Sequence, residues 1–301
     1  MTVNTSDAGT GGQGKGGEGI SGIDHCIVLV HDLDAARAQM ERLGFATAPR
    51  GVHSEHMGTH NHCIMLERGY FEVLAVRHPT ERNERWRDVL ATREGLTAVA
   101  CQTEDARSAD VLFHSIGIES YRLLDFARPV ELPSGLREAR FTTLTLPDDV
   151  APVPMFLCQH HTRDVVWLPQ YLNHPNGCVD LLGAVVLVSD PVASQERLAP
   201  AFADAKLEAE EHSATICTAA GNLVLLSAAG LQTRYAQVPR KALCAPSAAA
   251  LQLGVVDLSK TMDYLRDAGV QTYPGPSGSL CVAPADACGA ILEFSEASQL
   301  S

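Results

Sequence analysis

The stretch Gly22–Phe45, GIDHCIVLVHDLDAARAQMERLGF, changes structural period part-way along. Its first part, up to Asp32, is an apolar run rich in Ile, Val and Leu. That composition reads as a strand. Its second part alternates apolar and polar residues at helical spacing and closes on Leu43-Gly44, as a helix does when a glycine follows its last turn. In the strand, period two places His25, Ile27 and Leu29 on one face.

Working outward, the same order recurs. After Gly44 come a possible strand from Phe45 to Arg50, then HNHCIMLE and YFEVLAV, joined by a turn at Glu67–Tyr70. A second copy opens at GLTAVACQTED, has a helix ending at Ile116-Gly117, and continues through REARFTTLTL and VPMFLCQH. A third opens at LLGAVVLVSDP, with a helix running through Gln195 to Ala205 and then TICTA and NLVLLSA. A fourth opens at LQLGVVDLSK, has a helix ending at Ala268-Gly269, and closes with SLCVA and AILEFSE. Each copy is strand, helix, strand, strand, strand, so the chain is mixed α/β, in the α+β sense. Four copies imply two pairs. The expected organisation is a glycine-rich disordered tail over 1–20, a first pair over 21–179 and a second over 180–301. HPNGCVD serves as connector, because Pro and Asn-Gly punctuate there.

The tail contains Gly9, Gly14 and Lys15 at the spacing of a phosphate-binding loop. The next residue is Gly16 rather than Ser or Thr, and no strand precedes it, so both requirements of that motif fail. With 46% hydrophobic residues the remainder can bury a sizeable core, and a formal net charge of −13 argues against a nucleic-acid partner. Nine cysteines occur singly, with no Cys-x-x-Cys. Most sit in apolar runs, as buried free thiols of a reducing compartment do. No leader-like or membrane-spanning apolar run is found. A cytoplasmic location without membrane contact is the expectation.

GIDHCIVLVHDLDAARAQMERLGF, GTHNHCIMLERGYFEVLAV, FLCQHHTRDVVW and NHPNG together resemble the vicinal oxygen chelate superfamily, and within it the glyoxalase-like domain proteins. The resemblance is strong over about residues 21–180 and rests on repeat shape alone beyond that. It implies four βαβββ modules paired into two cupped, mostly antiparallel sheets, the glyoxalase/bleomycin resistance/extradiol dioxygenase fold. It also implies one divalent metal (Fe, Zn, Mn or Ni) held by first and last strands and bound to neighbouring oxygens of a small molecule. Isomerases, lyases and ring-cleaving dioxygenases share this fold, as do metal-free binding proteins, so the fold does not choose the reaction.

Carried over by position, the metal ligands are His25 and Glu72, a carboxylate standing mid-strand in YFEVLAV. The second module has Ala98 at the histidine position and offers Gln159 or His160 in its last strand. These point to opposite faces. His160 is favoured as the third ligand, with Gln159 left for a catalytic role. In the second pair Gly183 and Ala250 replace the histidines and only Glu293 survives, so that pair is expected to be structural or to make subunit contacts, with a homodimer as one outcome. The histidine-rich stretch HSEHMGTHNH matches no zinc signature. It reads as a polar wall, in which His62 is a candidate general base and His56 and Asn61 are candidate substrate contacts. Trp167 is a lid, or a plug between the pairs; His174 contacts substrate, or caps a turn. The expected function is a metal-dependent lyase, isomerase or dioxygenase acting on a small oxygenated compound, and the alternative is metal-free sequestration.

Overall fold

The computed structural model describes residues 19–132 and 135–297. The Gly9–Lys15 loop and nearly all of the expected tail lie outside the described residues. Ile20, grouped with that tail by sequence, belongs to the core instead. It is fully buried, and its N–H donates to the Ala201 carbonyl at 2.9 Å.

The first module contains β1 (Gly22–Val30), α1 (Leu33–Arg42), β2 (Gly51–Val52), β3 (Thr59–Met65) and β4 (Tyr70–Val76). A helix, α2 (Glu84–Leu90), leads to the second: β5 (Gly95–Gln102), α3 (Ala106–Ser115), β6 (Tyr121–Leu132), β7 (Gly135–Thr145) and β8 (Met155–His160). The third has β9 (Cys178–Leu187), α4 (Pro191–Leu198), β10 (Lys206–Glu210), β11 (Ser213–Thr218) and β12 (Gly221–Leu226), followed by α5 (Ala228–Arg234). The fourth has β13 (Ser247–Val255), α6 (Leu258–Asp267), β14 (Thr272–Pro274), β15 (Leu280–Val282) and β16 (Ile291–Glu296).

The repeat has a local cause. Two or three residues after every first strand stands an aspartate, Asp32, Asp105, Asp190 or Asp257, whose side chain accepts from backbone N–H of the helix that follows. Gly44, Gly117 and Gly269 end three of these helices at φ +84°, +82° and +68°, a region open to glycine. Two expectations fail. Residues 45–50 form no strand, and pairing begins only at Gly51. The third helix stops at Leu198 rather than Ala205, because Pro200 lacks the N–H that an α-helix would use there, and a 3-10 turn, Ala199–Ala201, follows.

The strands form two eight-stranded sheets, β2-β3-β4-β1-β5-β8-β7-β6 and β10-β11-β12-β9-β13-β16-β15-β14. In each, two modules meet through an antiparallel pair of first strands, β1 with β5 and β9 with β13. The helix-bearing faces share one core that runs through both sheets and includes Val28, Met40, Phe113, Val186, Leu251 and Phe294. The halves pack so closely that a Cβ on Gly95, at the start of β5, would collide with the Gly289 carbonyl in the turn before β16.

The two cups differ in their contents. In the C-terminal sheet, α5 and the chain after it fill the hollow, with Tyr235 fully buried beside Val185, Leu226 and Ile291. Glu293, the surviving carboxylate, accepts a bond from Arg234 at 2.9 Å and another from the Tyr235 hydroxyl at 2.6 Å. A guanidinium of the chain itself therefore neutralises the acid. Removing one partner of a buried pair strands the other charge. Arg234→Met is expected to lower unfolding free energy by about 3 kcal/mol in urea titration, and adding Glu293→Leu to restore most of it.

Candidate functional site

The cup of the N-terminal sheet is open. It holds a cavity of about 230 Å³ lined by alternate residues of six strands. β1 supplies His25 and Ile27; β3 supplies Thr59, Asn61 and Cys63; β4 supplies Tyr70, Glu72 and Leu74. From the second module come Arg122, Leu124, Phe126 and Arg128 of β6, Phe141, Thr143 and Thr145 of β7, and Phe156 and Cys158 of β8. His53, Met57, Arg82 and Trp86 close the remaining sides.

His25 reaches this face by alternation with Ile27, and β1 is irregular just before it. Its register with β5 shifts between Ile23 and His25, which leaves Asp24 without a partner across the ladder. Asp24, 1% exposed, holds two imidazoles. Its Oδ1 accepts from His25 Nδ1 at 2.6 Å and from His160 Nε2 at 3.0 Å. Burial alone would raise the Asp24 carboxyl, but the hydrogen bonds from His160 and His25 outweigh it and hold the acid well below the usual carboxylate range. His25 also stacks on Tyr70, with ring centroids 4.3 Å apart. With Nδ1 committed to Asp24, the nitrogen left for the cavity is Nε2.

Glu72 is 6% exposed and one of its oxygens is bonded by the Asn61 side-chain amide. Glu72 lies beside Ile27 in the β1–β4 ladder, and Ile27 faces Ala98 across β5. Transferring the offset between the capping aspartates, Asp32 and Asp105, maps His25 onto Ala98. The β5–β8 ladder, in which Ala100 pairs with Phe156, then sets Phe156 opposite Glu72. The first module thus presents an imidazole and a carboxylate where the second presents a methyl group and a phenyl ring.

Of the residues singled out from sequence, His25, Asn61 and Glu72 line the cavity. The others lie elsewhere. His160 shares the strand face of Phe156 and Cys158, but it sits behind Tyr70 with its Nε2 on Asp24 and Trp167 against its ring at 5.1 Å. Gln159 points the opposite way, donating to the Glu104 carbonyl at 2.6 Å and accepting from the Ala106 N–H at 3.2 Å. It closes the turn before α3. His62 alternates out of the cup that Asn61 enters, and its Nδ1 donates to the Ala48 carbonyl at 2.8 Å. His56 is exposed in the β2–β3 loop. Trp167 donates to the Leu66 carbonyl at 2.9 Å and carries the Arg163 guanidinium 3.4 Å above its ring. It plugs the space behind Tyr70. His174 uses both nitrogens on backbone, accepting from the Ala46 N–H at 3.0 Å and donating to the Met65 carbonyl at 2.7 Å.

Sequence reading placed His53 only as part of the polar wall HSEHMGTHNH, and it missed Trp86 and the three arginines. For β6 a signal existed: Arg122, Leu124, Phe126 and Arg128 recur at strand period in YRLLDFAR. Among the described residues one trio of potential metal donors, Asp24, His25 and Cys158, has its ligating atoms within 4.8 Å of one another.

Residues 23–202 match the family model described as "Glyoxalase-like domain". The chain belongs to this glyoxalase-like domain family. No curated protein matches it. Among solved structures, a hypothetical protein from Staphylococcus aureus superposes with a TM-score of 0.66 at 13% identity, over 91% of this chain and 99% of that one. A mutant of homoprotocatechuate 2,3-dioxygenase from Brevibacterium fuscum gives 0.57 at 12% identity, over 92% and 72%. A mutant of 4-hydroxymandelate synthase from Streptomyces coelicolor gives 0.57 at 14% identity, over 92% of both chains. At these identities the likeness is one of fold.

Two predictions follow from the side-chain environments. Burial pushes the His174 pKa below the ordinary histidine value. The unfolded chain therefore takes up a proton near pH 6.5 that the folded chain refuses, and stability present above that pH is lost as pH falls. The urea midpoint should drop between about pH 7.5 and 5.5, and drop less in His174→Gln, which keeps an acceptor and a donor but does not titrate. The second concerns thiols. Burial and the Glu72 carboxylate push Cys63 up to about 12, and burial raises Cys158 as well. Iodoacetamide at neutral pH should label Cys244, the one exposed cysteine, and spare both cavity thiols, as peptide mass mapping would show.

Proposed function

We propose that the N-terminal cup is the working site of an enzyme that moves a proton on a small oxygenated compound, with His25 and Glu72 at its chemical centre. The observation that carries this reading is the pairing of two prepared groups on one cavity. His25 is oriented from behind by the buried Asp24, and Glu72 is oriented by Asn61. Buried polar groups fixed this way and facing a cavity are arranged for chemistry rather than for packing.

The two groups fit a divalent cation. An imidazole whose other nitrogen is held by a carboxylate, and a carboxylate with one oxygen uncommitted, form a recurrent donor pair. Bound there, a cation supplies Lewis-acid polarisation of neighbouring substrate oxygens. The chain's own residues do the rest. Asp24 keeps the His25 proton on Nδ1. Phe156, Phe126 and Trp86 exclude water. His53, bonded to Thr59 Oγ1 at 2.7 Å, is the remaining cavity imidazole and the candidate to take a proton from substrate. The opposing strands hold Ala98 and Phe156 where a second imidazole or carboxylate would complete the two-His, one-carboxylate face used in oxygen activation. This favours isomerase or lyase chemistry over ring cleavage. The same two apolar residues favour the second reading, sequestration of a small molecule without metal or turnover.

Nine free cysteines, seven of them buried, support a reducing compartment such as the cytoplasm. Among the described residues no helix is long and apolar enough to cross a membrane.

Elemental mass spectrometry on anaerobically purified protein separates the readings. The expected result is near-stoichiometric divalent metal, lost in His25→Ala and in Glu72→Ala and kept in Cys158→Ser. Loss in Cys158→Ser with retention in Glu72→Ala would move the metal to the Asp24 side of His25. No metal after reconstitution would sink the metal-assisted mechanism and favour sequestration.

A further inference from the structure

The cavity wall carries three guanidinium groups against one carboxylate. Arg82 comes from the 3-10 turn Glu81–Asn83, and Arg122 and Arg128 come from β6. In a chain of net charge −13 such an excess of positive charge is unusual, and it is unspent. None of the three forms an ion pair with an acidic side chain among the described residues, whereas Arg68, Arg107, Arg137 and Arg234 all do.

Arg128 is the most specifically placed. β6 and β2 are opposite edges of the eight-stranded sheet. Yet a Cβ on Gly51, in β2, would lie 3.9 Å from Arg128 Nη1 and only 2.2 Å from Asn61 Oδ1. The sheet curls until its two edges nearly meet, and the arginine of one edge reaches across the mouth to the other. Gly51 leaves room for the Asn61 amide oxygen, with Arg128 Nη1 at ordinary contact distance beyond it. Below that bridge lie Asn61 and Glu72; the walls are Phe126, Phe141, Phe156, Tyr70 and Trp86.

We propose that the cup selects a small carboxylic acid with an apolar, ring-sized body, its carboxylate taken by Arg128 with Arg122 and Arg82 at the rim and its body laid among the aromatic side chains. This rests on the N-terminal cup being the working site. A planar guanidinium matches a carboxylate with two parallel hydrogen bonds, and the match is strongest out of bulk water. A volume of about 230 Å³ lies below the range of drug-sized pockets, which limits the body to about one ring. Glu72 faces the same space, so a dianionic phosphate would meet more repulsion than a monoanionic carboxylate.

Isothermal titration of the full-length protein tests this with benzoate, phenylacetate and 3-phenylpropanoate against their primary amides and against phenyl phosphate. The expected result is acids binding at least about tenfold more tightly than amides, with the preference weakened by salt. Arg128→Gln should abolish the preference by bringing acid binding down to that of the amides, and Arg128→Lys should keep part of it; circular dichroism would show both variants folded. Amides binding as tightly as acids, or a preference that survives Arg128→Gln, would overturn the assignment and leave the cup as the working site. Phenyl phosphate binding more tightly than every acid would overturn the carboxylate class. Acids and amides both failing to bind at millimolar concentration would sink this inference together with the site reading on which it rests.

Discussion

A carboxylate buried between two imidazoles sets the geometry of the open cup. Asp24 stands at a break in the β1–β5 register, where the two modules of the N-terminal pair join. It takes a hydrogen bond from His25 on its own strand and from His160 at the end of β8. An ionised acid at this depth is tolerable only with such partners. The contact ties first module to second, and it aims the ring of His25. Because Asp24 takes the extra place in the strand, Ile23 and Cys26 can both face the helix-bearing core while His25 and Ile27 face the cavity.

The two halves of the molecule use one architecture to opposite ends. Both sheets curl into cups, and both keep a glutamate on a last strand. In the C-terminal half, α5 and its extension enter the hollow, and Arg234 and Tyr235 satisfy Glu293. The result is a packed interior with its own core. In the N-terminal half the corresponding connection, through α2, covers only part of the cup, with Trp86, Val89 and Leu90 packed against Ile27, Leu29, Leu74 and Ala98. It contributes Arg82 and Trp86 to the wall, and Glu72 is left facing space with only Asn61 on it. What a connecting segment does after the last strand of a module decides whether a cup is filled or open.

Much of this was legible in the chain. The change of period in GIDHCIVLVHDLDAARAQMERLGF, the aspartates that follow each first strand and the glycines that end three helices are local features with local causes, so the four modules can be counted from sequence. Period two also separates His25 from Cys26 and Glu72 from its neighbours. The same rule applied to β6 yields Arg122, Leu124, Phe126 and Arg128, a strand masked in sequence by Asp125 within it and Pro129 just after. His62, Gln159 and His174 misled for one reason: a polar residue next to a motif looks functional, and only its hydrogen bonds reveal that backbone groups claim it.

The sequence by itself determined the modules, their order, and the Ala98, Gly183 and Ala250 that stand at the repeat positions of His25, because these follow from spacing along one chain, whereas the choice of His25 and Glu72 came from the family resemblance. Tertiary structure decided which cup is open, that His160 serves Asp24 rather than the cavity, and that arginines from one sheet edge close over residues of the other. Those outcomes depend on the curl of an eight-stranded sheet and on the path of α2 and α5. Distances between residues a hundred positions apart are set by packing, which local pattern does not encode.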